Sequence, residues 1–116
     1  KVHIHEAHHV HKKDAPSGTA ISLAQQILEA SSKLKGWHLG KDGQSEDHET
    51  DRIPIDAERK GEIKGIHRVH YESALDSISL SHHAHSRDAF AAGVLMVARF
   101  LKGKKGVFGM QDLLNL

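Results

Sequence analysis

Between Glu6 and Ala20 the chain reads Glu-Ala-His-His-Val-His-Lys-Lys-Asp-Ala-Pro-Ser-Gly-Thr-Ala, which sets imidazoles, ammonium groups and a helix start side by side. Imidazole titrates near neutral pH and also ligates metals, so this run is suited to proton transfer, anion binding or metal binding. His8, His9 and Lys12 are the informative trio. A lysine close to imidazoles meets repulsion when all are charged, an arrangement more useful for an anionic ligand than for stability. Beyond them, Ser17-Gly18-Thr19 is ordinary helix-start chemistry that doubles as an anion grip. The first amides of a helix lack partners, the helix dipole is positive there, and Gly18 lets a ligand approach the backbone. Cations at His9 and Lys12 facing amides at Gly18 and Thr19 describe a pocket for a small dianion with a proton donor inside it.

The string His5-Glu6-Ala7-His8-His9 also satisfies the H-E-x-x-H pattern of zinc proteases. That pattern needs a helix, on which positions i and i+4 share a face. Here it continues a strand pattern, in which the two histidines would sit roughly 13 Å apart. We therefore assign no metal ligand, and read His3, His5 and His11 as solvated side chains without a role. A histidine-rich metal-binding module and a non-catalytic oligomerisation domain are the alternative readings.

The elements that must position these residues follow from periodicity. Val2 and Ile4 alternate with Lys1, His3 and His5 as in a strand with one buried face. Pro16 halts regular structure, Ser17 caps a helix, and Ala20, Leu23, Ala24, Ile27 and Leu28 recur at helical spacing up to Ser31-Ser32. Gly36 to Asp51 is polar and glycine-rich with only Trp37 and Leu39 as anchors, and reads as an exposed, mobile loop. Strands are expected at Ile53 to Ala57, at Ile63 to Ser73 with His67, Val69 and Tyr71 on one face, and at Ser77 to His82. Ala74-Leu75-Asp76 is the turn between the last two. Ser86 is placed to cap a helix from Arg87 to Leu101, striped by Phe90, Val94, Val97, Ala98 and Leu101, and Met110 to Leu114 reads as a short terminal helix. The fold class is α+β, a mixed open sheet packed against helices.

Composition sets the outer bounds. A length of 116 residues is one domain, 1–116, too small to hold both a cofactor domain and a substrate domain. The net charge of +1 gives no field that would draw it to nucleic acid or an anionic membrane, and aromatic side chains make up only 4%. With no cysteine there are no disulfides, thiolate nucleophiles or cysteine zinc sites, which fits a cytoplasmic protein. The 12 histidines are the anomaly, five of them between His3 and His11. The chain opens on Lys1 without a leader-like segment and reads as a soluble part of a longer protein.

Glu6, His8, His9, Lys12, Asp14 and the segment Ala15 to Ala20 resemble the signature E-x-H-H-x-x-K-x-D-x-P-S-G-T-A of the 4-hydroxy-tetrahydrodipicolinate (dihydrodipicolinate) reductases. The similarity extends through Gly65-Ile66-His67, through Ser81 to Phe90 and through the tail Lys102 to Leu114. The resemblance implies the C-terminal domain of a Rossmann-containing reductase of lysine (diaminopimelate) synthesis. It also implies a homotetramer built by joining sheets, and a C-terminal segment, about 87–116, that packs toward the cofactor domain. NADH or NADPH would then be bound upstream, consistent with the lack of any G-x-G-x-x-G here; Gly103, Gly106 and Gly109 have another spacing and follow a helix. The cofactor preference is written in that other half. By resemblance, His8 and Lys12 are the catalytic proton carriers, and His9, Ser17, Gly18 and Thr19 bind a small dicarboxylate substrate. Arg87 belongs near substrate, with Asp88 as its alternative partner. The family also carries an arginine in a longer glycine-rich segment between Trp37 and Gly65. This chain is short there, with Arg52 and Arg59 as candidates.

Overall fold

A computed structural model describes residues 1–40 and 51–116. Two compact units emerge, Lys1–His85 and Ser86–Leu116. The first contains β1 (Val2–His8), α1 (Gly18–Glu29), β2 (Gly36–Leu39), β3 (Arg52–Arg59), β4 (Ile66–Glu72) and β5 (Ser77–His83). The strands form one sheet in the order β2-β3-β1-β4-β5, parallel between β2, β3 and β1 and antiparallel from β1 through β4 to β5. It is the mixed open sheet that the alternating pattern implies.

Directly paired residues point to the same side of a sheet, so the register lays out its two faces. Ile4 lies between Ile55 of β3 and Val69 of β4. All three are buried and form the core with Ala20 and Ala24 of α1 and Ile53. The small side chains at Ala20 and Ala24 let the helix settle against that row, while Leu23, Ile27, Leu28, Trp37 and Tyr71 pack around its rim. Removing an isoleucine-sized side chain from water contributes about 1.5–3 kcal/mol, so Ile4, Ile53 and Ile55 anchor this sandwich. Val69 and Tyr71 thus serve the core, and are not a free face for sheet-to-sheet association.

The reverse face is polar. His3 Nε2 lies 2.7 Å from Asp56 Oδ2, and His70 Nδ1 lies 2.7 Å from Ser79 Oγ. His3, His5, Arg68, His70 and Ser79 line an open groove on this face. His3 and His5 are therefore engaged with carboxylates across the sheet, His5 with Glu58 at 3.5 Å, and point away from α1.

Some boundaries differ from expectation. Gly36–Leu39 is a strand, where the sequence suggested loop: Trp37 pairs with Ile53 and Leu39 with Ile55. Four residues flanked by glycine and charge carry too little periodicity to reveal an edge strand, and pairing with β3 satisfies their backbone groups. The rest of the expected loop, 41–50, lies outside the described residues. β1 extends to His8 and β3 to Arg59, beyond the apolar residues that marked them. β4 begins at Ile66, because the backbone turns between Lys60 and Gly65, with Gly61 at φ +50°.

In the second unit, α2 (Asp88–Leu101) and α3 (Met110–Leu114) are both present. Arg87 occupies the N-cap position of α2 without a side-chain cap bond, and Ser86 Oγ accepts from the Asp88 amide. Within this unit Phe100 and Phe108 meet edge to face at 5.7 Å, and Lys104 Nζ lies 4.5 Å from the centre of the Phe100 ring. No residue of α2 is buried.

Candidate functional site

Two residues past the core row, the α1 side of the sheet changes character. Glu6 lies between Ala57 and His67, and His8 is paired with Arg59. Four polar side chains therefore gather at the C-terminal end of β1, beside the start of α1. Glu6 is fully buried. Such a carboxylate is tolerated only when paired and hydrogen-bonded, and here both conditions hold.

Arg59 grips Glu6 with a two-pronged fork, Nη2 donating to Oε1 at 2.8 Å and Nη1 to Oε2 at 2.9 Å. The Ser17 amide donates to Oε1 at 2.9 Å, and His8 Nδ1 lies 2.6 Å from Oε2. Burial works against ionisation of Glu6, but hydrogen bonds from Arg59, His8 and Ser17, together with the Arg59 charge, hold its carboxyl below the usual 4.5. Arg59 Nη2 also donates to the Asp14 carbonyl at 2.7 Å, which fastens the loop leading into α1.

Ser17 links this network to the helix. Its hydroxyl accepts from the Ala20 amide at 3.2 Å, a standard N-cap, and lies 2.9 Å from His67 Nε2. The His67 ring meets the His8 ring edge-on at 5.1 Å. Burial first, then the charge of His8, push the His67 imidazole below its usual 6.5, with Lys12 adding to the effect. Both effects favour the neutral form of the His67 ring, which lies between the His8 ring and the Ser17 hydroxyl.

Next to this frame the helix start faces outward. Gly18 and Thr19 are exposed, whereas Ser17 and Ala20 on either side are buried. A Cβ on Gly18 would meet nothing within 4 Å, so its open side is free for a ligand. The amides of Gly18 and Thr19 fall in the first turn, where no intrahelical acceptor exists. Lys12 is largely covered, and its Nζ donates to Asp14 Oδ1 at 2.9 Å. That bond leads the causes that lower the Asp14 carboxyl from its usual value. His9 follows β1 in a turn closed by the Lys12 amide donating to the His9 carbonyl at 3.2 Å, and its ring is tilted against His11 at 6.0 Å. His8, Lys12, His9, Ser17, Gly18 and Thr19 all belong to β1, the first turn of α1 and the loop between them. Arg87 lies in the second unit.

Three participants were not singled out from sequence: Glu6 as partner of His8, His67, and Arg59 as partner of Glu6. The signal was present. Glu6 is in phase with Val2 and Ile4 on the buried side of a strand, and a carboxylate there requires a cation of matching burial. Because β1 runs through His8, the H-E-x-x-H string occupies the end of a strand and the residue after it, not the helix that pattern needs. No three metal-ligating side chains converge among the described residues. Gly103, Gly106 and Gly109 all follow α2, and none succeeds a strand.

A partly buried imidazole hydrogen-bonded to a buried, charge-compensated carboxylate, whose other oxygen holds the helix N-terminus, is suited to exchanging a proton with an anion bound there. The family described as "Dihydrodipicolinate reductase, C-terminus" matches residues 1–114. The 4-hydroxy-tetrahydrodipicolinate reductase of Christiangramia forsetii is 50% identical over 98% of this chain and 45% of its own length. That of Nitrosomonas europaea is 42% identical over 99% of this chain and 44% of its own length. Among solved structures, the dipicolinate-bound dihydrodipicolinate reductase from Paenisporosarcina sp. TG-14 superposes with a TM-score of 0.68 at 29% identity, covering 96% of this chain and 43% of that one. The chain spans less than half the length of these relatives, and within that span the correspondence is nearly complete: it belongs to the dihydrodipicolinate reductase family and represents the C-terminal part.

Proposed function

We propose that this chain is the substrate-binding and catalytic half of a cytoplasmic reductase. The enzyme uses NADH or NADPH to reduce 4-hydroxy-tetrahydrodipicolinate to tetrahydrodipicolinate in the diaminopimelate branch of lysine synthesis. The observation that carries the reading is the open helix start at Gly18-Thr19, tied to His8 through the buried Glu6 carboxylate, with Lys12 in the loop that joins β1 to α1. Dipicolinate, bound in the related Paenisporosarcina structure, is a dicarboxylate of the shape that such a grip fits.

The amides of Gly18 and Thr19, with His9 and Lys12, take the carboxylates and fix the ring, for which orientation supplies much of the rate. Ser17 contributes by holding the helix start in place through its cap and its bond to Glu6. His8 and Lys12 are the proton carriers. A group within about 3 Å of its target usually contributes ~10²- to 10⁴-fold. The nicotinamide, held by the remainder of the protein, supplies hydride. Arg87 and the second unit belong on the side of that cofactor domain, a placement supported by the exposed apolar residues Phe90, Val94, Leu95 and Met96 of α2. Assembly into a tetramer through the sheet is supported by the exposed Ile78 and Leu80 of its edge strand β5.

Titration with pyridine-2,6-dicarboxylate tests this reading. Binding should be saturable, and lost in Lys12→Ala and in Gly18→Val. The Gly18 substitution is informative because its side chain would enter empty space, so it obstructs a ligand without disturbing the fold. Unchanged binding in both variants would overturn the assignment.

A further inference from the structure

Resting on that reading, a second role emerges for Glu6, the most buried charge among the described residues. We infer that Glu6 is the positioning residue for His8: its carboxylate fixes the imidazole as the Nδ1–H tautomer and so presents Nε2 as the nitrogen that exchanges the proton.

An ionised carboxylate has about four lone-pair sites and no hydrogen to give. Glu6 receives four contacts: Arg59 Nη2 and the Ser17 amide at Oε1, Arg59 Nη1 and His8 Nδ1 at Oε2. The guanidinium and the amide are fixed donors. Since Glu6 is ionised, the nitrogen of His8 that faces it must also carry a hydrogen. The 2.6 Å separation suits such a charge-assisted bond. In the neutral ring this selects the tautomer in which Nε2, at the far end of the imidazole, bears no hydrogen and can accept one. That end faces Gly65, where a Cβ would come within 3.4 Å of Nε2. The missing side chain leaves Nε2 room.

Glu6 also couples the two halves of the site. One oxygen holds His8, at the end of β1. The other holds the Ser17 amide, immediately before Gly18 and Thr19. The proton carrier and the anion grip are thereby set against each other by a single carboxylate, while Arg59 locks it from β3. Such an orienting acid acts through the histidine and need not touch substrate.

The isosteric change Glu6→Gln makes a sharp prediction. Its amide nitrogen must replace one of the two oxygens. At the Oε1 position it would face two donors that cannot change, Arg59 Nη2 and the Ser17 amide. At the Oε2 position it faces Arg59 Nη1 and His8, and His8 can switch tautomer. The amide nitrogen therefore settles toward His8, Nδ1 becomes an acceptor, and Nε2 gains the hydrogen.

The experiment is long-range ¹H–¹⁵N correlation on the intact, ¹⁵N-histidine-labelled protein above pH 7.5, with His8 assigned by its loss in His8→Ala. The wild type should show the Nδ1–H signature and Glu6→Gln the Nε2–H signature, with kcat lowered ~10²-fold or more and KM little changed. An Nε2–H signature in the wild type overturns the inference, and that measurement stands even if the variant fails to fold. Retention of Nδ1–H with full kcat in Glu6→Gln overturns it equally. The tautomer is read without turnover, so failure of the proposed reaction and failure of the positioning role are separable.

Discussion

Replacing Arg59 by methionine isolates the electrostatic component of the network, because the side chain keeps much of its volume and loses only its charge and donors. In the wild type Glu6 is fully buried and Arg59 contributes both prongs of a fork to it. Without Arg59 the carboxylate keeps the Ser17 amide and His8, and the Asp14 carbonyl loses its donor. Breaking a buried ion pair by removing one partner costs about 3–5 kcal/mol, since the remaining charge is left uncompensated. With an m-value on the order of 1.5 kcal/mol/M, the urea midpoint at pH 7 should fall by about 2–3 M, followed through Trp37 fluorescence. The loss should shrink as pH falls toward and below the ordinary carboxyl value of 4.5, because without Arg59 burial raises the Glu6 carboxyl and the variant relieves its strain by protonating it. The double variant Glu6→Leu/Arg59→Met should be far closer to wild type than Arg59→Met alone, since neither charge is then buried. A penalty under ~1 kcal/mol, or one that stays constant down to pH 3, would refute the view of Glu6–Arg59 as a buried, charge-compensated pair.

Smaller perturbations address the surrounding parts. Ser17→Ala removes the α1 cap and the partner of His67, and should cost about 0.5–2 kcal/mol in urea unfolding. Because His67 is held below its usual 6.5, it contributes stability that is complete above that value and is lost as pH falls through its folded pKa. In His67→Gln, the decline of stability just below pH 6.5 should flatten. Glu6, also lowered, acts in the same direction further down, its contribution complete above about 4.5 and lost below it. In the intact protein, His8→Ala and Lys12→Ala should each lower kcat ~10²-fold or more while pyridine-2,6-dicarboxylate still binds His8→Ala. Near-normal turnover in either would remove that residue from the mechanism.

What the sequence disclosed, and what it hid, follows from the range of the forces involved. α1 was readable because Ser17, Ala20, Leu23, Ala24, Ile27 and Leu28 encode a cap and an apolar stripe within one local segment. β4 and β5 were readable from alternation, as in Ile78 and Leu80 between serines. β2 was not, since Gly36–Leu39 becomes a strand through pairing with β3, a contact that no four-residue window records. The site divides the same way. His8, Lys12 and Gly18 stand close in sequence, and their spacing both suggested an anion grip and resembled a family signature. The Glu6–Arg59 fork spans 53 positions and the Ser17–His67 bond 50. Partners so distant are fixed by sheet register, and only the burial phase of Glu6 hinted that one must exist.

That phase also explains why the chemistry sits where it does. Along the α1 side of β1, Val2 and Ile4 meet Tyr71 and Val69, and the next positions, Glu6 and His8, meet His67 and Arg59. The sheet thus passes from apolar packing to a buried ionic frame within one step of its period-two repeat. Rigidity is inherited from the core: Ile4, two residues before Glu6, has no exposed surface, and Glu6 is as buried as Ile4. Cohesion and orientation therefore rest on the same carboxylate. Truncating Glu6 to alanine would confound them, because the uncompensated Arg59 would cost stability whatever happened to His8. Only the isosteric amide separates the two, since it keeps the volume and most of the hydrogen bonds while reversing which nitrogen of His8 carries the hydrogen.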